Sequence, residues 1–217
     1  QSFAMGSSTT AGGDQSFALG SSTTALGQSS LAFGTGSNTT AGATNAVAMG
    51  LNAEADGPQS FSLGTGTLSS GTSSFALGDN TVAGADTSFA LGSGTTTLGQ
   101  SSLAFGTGSN TTSGAANAVA MGLNAEADGA QSFSLGTGTL STGTSSFALG
   151  DNTIAGADTS FALGSGTTAQ GQSSLAFGTG SNTTASAANA VAMGLGAEAD
   201  GAQSFSLGTG TLSSGTS

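Results

Sequence analysis

One short alternation recurs along the whole chain: a small residue, a bulky apolar residue, Ala or Ser, a second apolar residue, then Gly. It reads SFAMG at 2–6, SFALG at 16–20, SLAFG at 30–34, AVAMG at 46–50, SFSLG at 60–64 and SFALG at 74–78. After each closing glycine the third, fifth and seventh residues are small, as in Thr23, Ala25, Gly27 or Ala53, Ala55, Gly57. The fourth and sixth vary freely: Thr24 and Leu26, Glu54 and Asp56, Leu68 and Ser70. A period of two in both halves predicts β-strands. Helix is disfavoured as well, because Gly and Thr are poor helix formers. Each unit is expected to hold two strands of about five residues and two turns of about two residues.

The closing glycines are Gly6, Gly20, Gly34, Gly50, Gly64 and Gly78, and the pattern continues to Gly208. Their spacing is regular, with one interval in every five, such as Gly34 to Gly50, longer than the rest by two. Five coils therefore make one superrepeat, visible in SSLAFGTGSN at 29–38, 101–110 and 173–182. Units this short bury nothing alone and must stack, each strand pairing with its copy one coil on. The expectation is a parallel β-solenoid, or β-roll, of about fifteen coils of about 14 residues each, forming a single repetitive domain over 1–217. The chain begins and ends inside a repeat, so it reads as a fragment of a longer protein.

So short a coil leaves little room between its two sheets. The small set (Ser16, Ala18, Gly20 facing Thr23, Ala25, Gly27) is therefore placed inside; the alternative puts Phe inside, facing small residues. With the small residues inside, each coil turns two bulky residues outward. The stripe comprises Phe17, Leu19, Leu31, Phe33, Val47, Met49, Phe61, Leu63, Phe75, Leu77, Phe89, Leu91, Leu103 and Phe105, and continues in the same manner to the end of the chain. Its two positions compensate in volume: Phe then Leu in most coils, Leu then Phe at Leu31/Phe33, Val then Met at Val47/Met49. Close-packed cores require such compensation. Burying one such side chain is worth about 1.5–3 kcal/mol, and an exposed stripe of this size demands a partner. Another copy of the chain is the expected one.

Composition narrows the chemistry. The chain has no Lys, Arg, His, Cys, Trp or Tyr, twelve Phe, and a net charge of −11. Without cations it has no means of holding a nucleic-acid backbone or an anionic membrane surface. No apolar run is long enough to span a bilayer. Ser and Thr abound, yet no His, Lys, Cys or Tyr is present to activate them, so no enzyme is expected. Carboxylate pairs such as Glu54 and Asp56 sit at variable outward positions, where solubility explains them better than glycoside hydrolysis. No cofactor is expected.

SFALGSSTTALG (16–27) and AVAMGLNAEADG (46–57) resemble the head repeats of trimeric autotransporter adhesins, the YadA-like heads, and the likeness extends over all fifteen coils. The resemblance implies a left-handed parallel β-roll that forms a homotrimer along a threefold axis. Handedness and the number three come from the resemblance alone, since ordinary crossovers are right-handed. It further implies an extracellular adhesive rod on a bacterial cell surface, attaching to surfaces, host matrix protein or glycan through many copies. A phage tail fibre, another secreted filament segment and an ice-binding solenoid are the alternatives.

Three further features are candidate sites. The longer coils hold GSNTTAGAT (36–44), GSNTTSGAA (108–116) and GSNTTASAA (180–188), whose two added residues must bulge as a loop. Asn38, Asn110 and Asn182, each in an Asn-Thr-Thr sequon, are the candidate loop contacts for a ligand or glycan. Asp79, Asp86, Asp151 and Asp158 flank turns and offer oxygens for calcium, although turn chemistry accounts for them too. Thr-Gly-Thr at 65–67, 137–139 and 209–211 suggests an ice-binding rank, interrupted at Leu51/Ala53 and Asp79/Thr81.

Overall fold

The computed structural model describes residues 1–216. The chain divides into two compact units, Gln1–Gly108 and Ser109–Ser217. Every coil contributes one five-residue strand and one two-residue strand, and no helix occurs among the described residues. In the first unit the long strands run from Phe3–Ser7 to Leu103–Thr107, each paired in parallel with the next. The register never slips: Phe61, Leu63 and Gly64 lie opposite Phe75, Leu77 and Gly78. The short strands, such as Leu68–Ser69 and Val82–Ala83, stack into a second parallel sheet. The second unit repeats this arrangement, with long strands from Val119–Leu123 to Phe205–Thr209. The fold is an all-β parallel solenoid of about fifteen turns, about 14 residues each.

The two halves of a coil are unequal, unlike the expectation of two similar strands. In the second coil only Thr24–Ala25 counts as the short strand. The corner that follows takes up Gly27 to Ser30, closed by Ser30 N–H donating to the Gly27 carbonyl (3.2 Å). The other corner turns on Ser22, at φ 55°. Non-glycine residues occupy this left-handed region at both corners, including the β-branched Thr87 at φ 56°. Such a conformation costs on the order of 1–2 kcal/mol, and at Thr87 a hydroxyl contact to Ser101 in the next coil (2.7 Å) offsets part of it.

The closing glycine of each coil is required by geometry. Gly78 has φ +135°, and a Cβ there would overlap the carbonyl oxygen of Gly92 in the next coil.

Small side chains fill the interior. Ala18, Ala25 and Ala32 are wholly buried and mutually packed, and Ser16 and Thr23 are buried beside them. The largest fully buried side chains are threonines, such as Thr23, Thr39 and Thr67. Some interior hydroxyls are matched across the roll. Ser62 Oγ lies 2.7 Å from Thr67 Oγ1, and Ser69 Oγ 2.7 Å from Ser74 Oγ. Where Ala replaces that first serine, the threonine opposite loses its partner. Thr81 and Thr95, facing the Ala76 and Ala90 positions, have Oγ1 atoms without a hydrogen bond among the described residues.

This pattern predicts that Ala76→Ser, by giving Thr81 the partner that Ser62 gives Thr67, stabilises the chain by about 0.5–1.5 kcal/mol. Ser62→Ala should destabilise it by a similar amount. Urea denaturation followed by far-UV circular dichroism measures both, and the opposite order of stabilities would contradict the pairing.

Candidate interaction surface

Alternation along each long strand leaves the stripe on the outside. In Phe75–Asp79 the pattern is half-buried Phe75, buried Ala76 and half-buried Leu77. Phe17/Leu19, Leu31/Phe33, Val47/Met49, Phe61/Leu63, Phe89/Leu91 and Leu103/Phe105 likewise lie on long strands and flank a buried Ala or Ser, with Phe17, Phe33 and Phe105 exposed. In-register pairing places like residues above one another. Phe61, Phe75 and Phe89 stack at ring distances of 4.8 and 4.7 Å with planes within 3°. Phe133, Phe147 and Phe161 do the same in the second unit, at 4.9 and 4.7 Å. The stacks account for part of the shielding of these rings. In the inverted coils the ring sits in the other column: Phe33 lies between Leu19 and Met49 and is 44 % exposed.

The apolar surface widens at one position per superrepeat. Leu51, Leu123 and Leu195 end their long strands just beyond the closing glycine and are 47, 47 and 56 % exposed. Pattern reasoning did not assign them to the stripe. The available signal was their position, which is polar in neighbouring coils: Thr35, Thr65, Asp79 and Ser93.

The added loops lie elsewhere than the candidate asparagines. Asn38, Asn110 and Asn182 begin short strands, Asn38–Thr39, Asn110–Thr111 and Asn182–Thr183, and are half-buried. Their expected place in the loop is therefore corrected. The extra residues form an additional turn at Ala41–Gly42, after which Ala43 occupies the corner place that Gly27 holds in an ordinary coil. The shift follows from the ladder: Asn38 N–H donates to the Ala53 carbonyl (2.8 Å), so the strand must form before the chain can bulge. The Asn38 side chain donates to Glu54 across a long 3.4 Å contact.

Beneath this turn lies an acidic position with an unusual environment. Thr40 Oγ1 donates to the Asp56 backbone carbonyl (3.2 Å), and Asp56 Oδ1 is buried without a hydrogen-bond partner among the described residues. Burial raises the Asp56 carboxyl above its ordinary value, repulsion from Glu54 adds to this, and the Thr40 hydroxyl opposes it. Asp128 repeats the arrangement with Glu126 and Thr112.

Other acidic side chains serve the turns. Asp86 Oδ1 accepts from Thr72 N–H (2.7 Å) and Asp158 Oδ1 from Thr144 N–H (2.8 Å). Asp79 and Asp151 accept from the Asn side chains that follow them, at 3.0 and 3.1 Å. No group of three or more carboxylates suited to a metal occurs among the described residues. The Thr-Gly-Thr segments do not form a surface rank. Thr65 is exposed at a strand end, whereas Thr67 is buried inside the roll.

A raised carboxyl pKa has a definite consequence for stability. The folded chain binds the proton before the unfolded chain does, so stability rises as pH falls through the folded values of Asp56 and Asp128. The gain is complete below the ordinary value of 3.8. The melting temperature should therefore rise on acidification from neutral pH toward pH 4. The double variant Asp56→Asn, Asp128→Asn should melt higher at neutral pH and depend less on acidification. Melting curves across that window decide the point; a native melting temperature that falls with acidification would contradict it.

The YadA head domain repeat matches the chain at residues 1–23, 41–67, 69–95, 113–139, 141–167, 169–186 and 185–211, stretches that together take in most of its length. No curated protein sequence matches it significantly. Alternating small and bulky residues, a solenoid that turns the bulky ones outward and the matched repeat agree: the chain belongs to the YadA head family, the YadA-like head domains of trimeric autotransporter adhesins.

Proposed function

We propose that the chain is a segment of an extracellular bacterial surface fibre. In this reading three copies join along their apolar stripes as a left-handed homotrimer and attach to surfaces or host matrix, protein or glycan, through many weak contacts. The observation that carries it is the continuous outward stripe in each unit, half-exposed in a single copy. Water-exposed apolar surface of this extent is characteristic of interaction surfaces. The family is one of structural adhesins rather than enzymes, and its members are trimeric. The fourteen stripe residues from Phe17 to Phe105 form the trimer core of the first unit in this proposal.

The acidic surface supports the same reading. With a charge of −11 and no cation, copies repel one another everywhere except along the neutral stripe. Avidity from many copies supplies attachment without a deep pocket. The half-buried Asn38, Asn110 and Asn182 are proposed as contacts at the edge of the added turns. A phage fibre or secreted filament would use the same assembly in a different setting. Ice binding lacks support, because burial of Thr67 and Thr139 removes half of two of the three proposed pairs.

Sedimentation equilibrium with interference optics is the test, since no Trp or Tyr absorbs near 280 nm. The expected mass is three times 20.1 kDa. Phe89→Ser, Phe105→Ser and Phe161→Ser together should dissociate the assembly and sharply reduce retention on immobilised matrix protein or glycan. A stable native monomer, or a triple variant of unchanged mass and melting, would overturn the proposal.

A further inference from the structure

A uniform stripe cannot align two copies. The coils at Phe61/Leu63, Phe75/Leu77 and Phe89/Leu91 present the same pair of side chains in the same columns. A copy displaced along the stripe by one coil, about 4.8 Å, would still lay Phe on Phe and Leu on Leu. Register in β-structures is weakly specified wherever neighbouring positions are alike, and it is fixed by features that penalise the slipped arrangement.

In the first unit the uniformity breaks at two adjacent coils, and again at the inverted coil Leu103/Phe105. Leu31/Phe33 inverts the order of volumes, and Val47/Met49 follows with two residues smaller than Phe. At this place alone in the first unit, the position after the closing glycine is apolar: Leu51, where the coils on either side carry Thr35 and Thr65. Phe33, Met49, Leu51, Leu63 and Thr65 border an open hollow of about 310 Å³. The second unit has the same inversion at Leu175/Phe177 and Val191/Met193, followed by the exposed Leu195.

We propose that these coils set the axial register between copies, with Leu51 seating against the hollow beside Phe33 of a neighbouring copy and Leu195 taking the corresponding place in the second unit. The inference rests on the self-assembly reading above and deepens it. A second copy is the occupant that the surface fits. None of the carboxylates falls in the two stripe columns, so like-charged chains can meet there. Each copy's stripe of partly exposed side chains, at about 200 Å² per aromatic, offers on the order of 1,000 Å², against about 800 Å² per partner in a standard interface. In the aligned assembly each inverted coil meets its own kind. A displacement of one coil sets Phe33 against a differently shaped layer and leaves the hollow unfilled, and packed interfaces penalise both.

The chain has no cysteine, so single thiols report alignment without background. Chains carrying Leu63→Cys or Leu91→Cys are mixed in pairs, one member bearing an affinity tag, and treated with a short bis-maleimide. In the native background, same-coil pairs (63 with 63, 91 with 91) should cross-link at least ~tenfold faster than the two-coil offset pair 63 with 91. Leu51→Thr, Leu123→Thr and Leu195→Thr, combined with Phe33→Leu, Phe105→Leu and Phe177→Leu, should preserve the assembled mass yet bring the two rates together. Far-UV circular dichroism checks that the variant is folded. Absence of a same-coil preference in the native background overturns the proposal even if the variant fails to fold, as does a folded variant that keeps the preference. A native chain that sediments as a monomer removes the assembly itself, a result distinct from both.

Discussion

Among the described residues the interior of this roll holds no side chain larger than threonine, and the rest of the structure follows from that constraint. Each short coil brings its two sheets so close that alanine, serine and threonine fill the space between them. The conformational cost of ordering each residue is not recovered by burial of small side chains inside a single coil. The bulky residues that provide most of the hydrophobic driving force are therefore displaced to the outer face. There, in-register stacking shields them in part, with phenyl rings 4.7–4.8 Å apart along Phe61, Phe75 and Phe89. Complete shielding would need surface from outside the chain, and the proposed assembly rests on that need.

The same narrowness dictates the finer sequence rules. A closing glycine such as Gly78 is fixed because its backbone adopts a positive φ while the next coil's carbonyl occupies the place of a Cβ. Interior hydroxyls come in facing pairs where serine replaces alanine, as at Ser62 and Thr67, because a hydroxyl in a dry interior is costly without a partner. Among the acidic groups, Asp56 and Asp128 each have a buried Oδ1, and burial raises their carboxyls above the ordinary value.

Much of this was legible in the sequence because a strict period of two leaves only two faces to assign, and the coil length decides which face is inside. The solenoid, the parallel register and the outward stripe all follow from those two facts. The inequality of the strands was not legible: Thr23, Ala25 and Gly27 keep the strand alternation, yet Gly27 is already part of the corner, a distinction made by hydrogen bonds rather than side-chain pattern. Asn38 was misplaced for a related reason. A two-residue insertion fixes how much chain must bulge but not where, and the ladder through Asn38 N–H pushed the bulge to Ala41–Gly42. Leu51 was read only as a break in the Thr-Gly-Thr rank, because a single leucine after a glycine carries no periodicity; its exposed place beside Phe33 and Met49 joins it to the apolar surface.

Enlarging one side chain on each face of a single strand tests the central constraint most directly. Ala90 is wholly buried, and its neighbour Leu91 points outward. Equilibrium denaturation of Ala90→Leu, compared with Leu91→Phe, should show the inward change to be strongly destabilising, by about 3 kcal/mol or more. The outward change should leave the folding of the coil intact. Equal tolerance of the two substitutions would show that the roll has room for its own bulky residues, and would contradict the account.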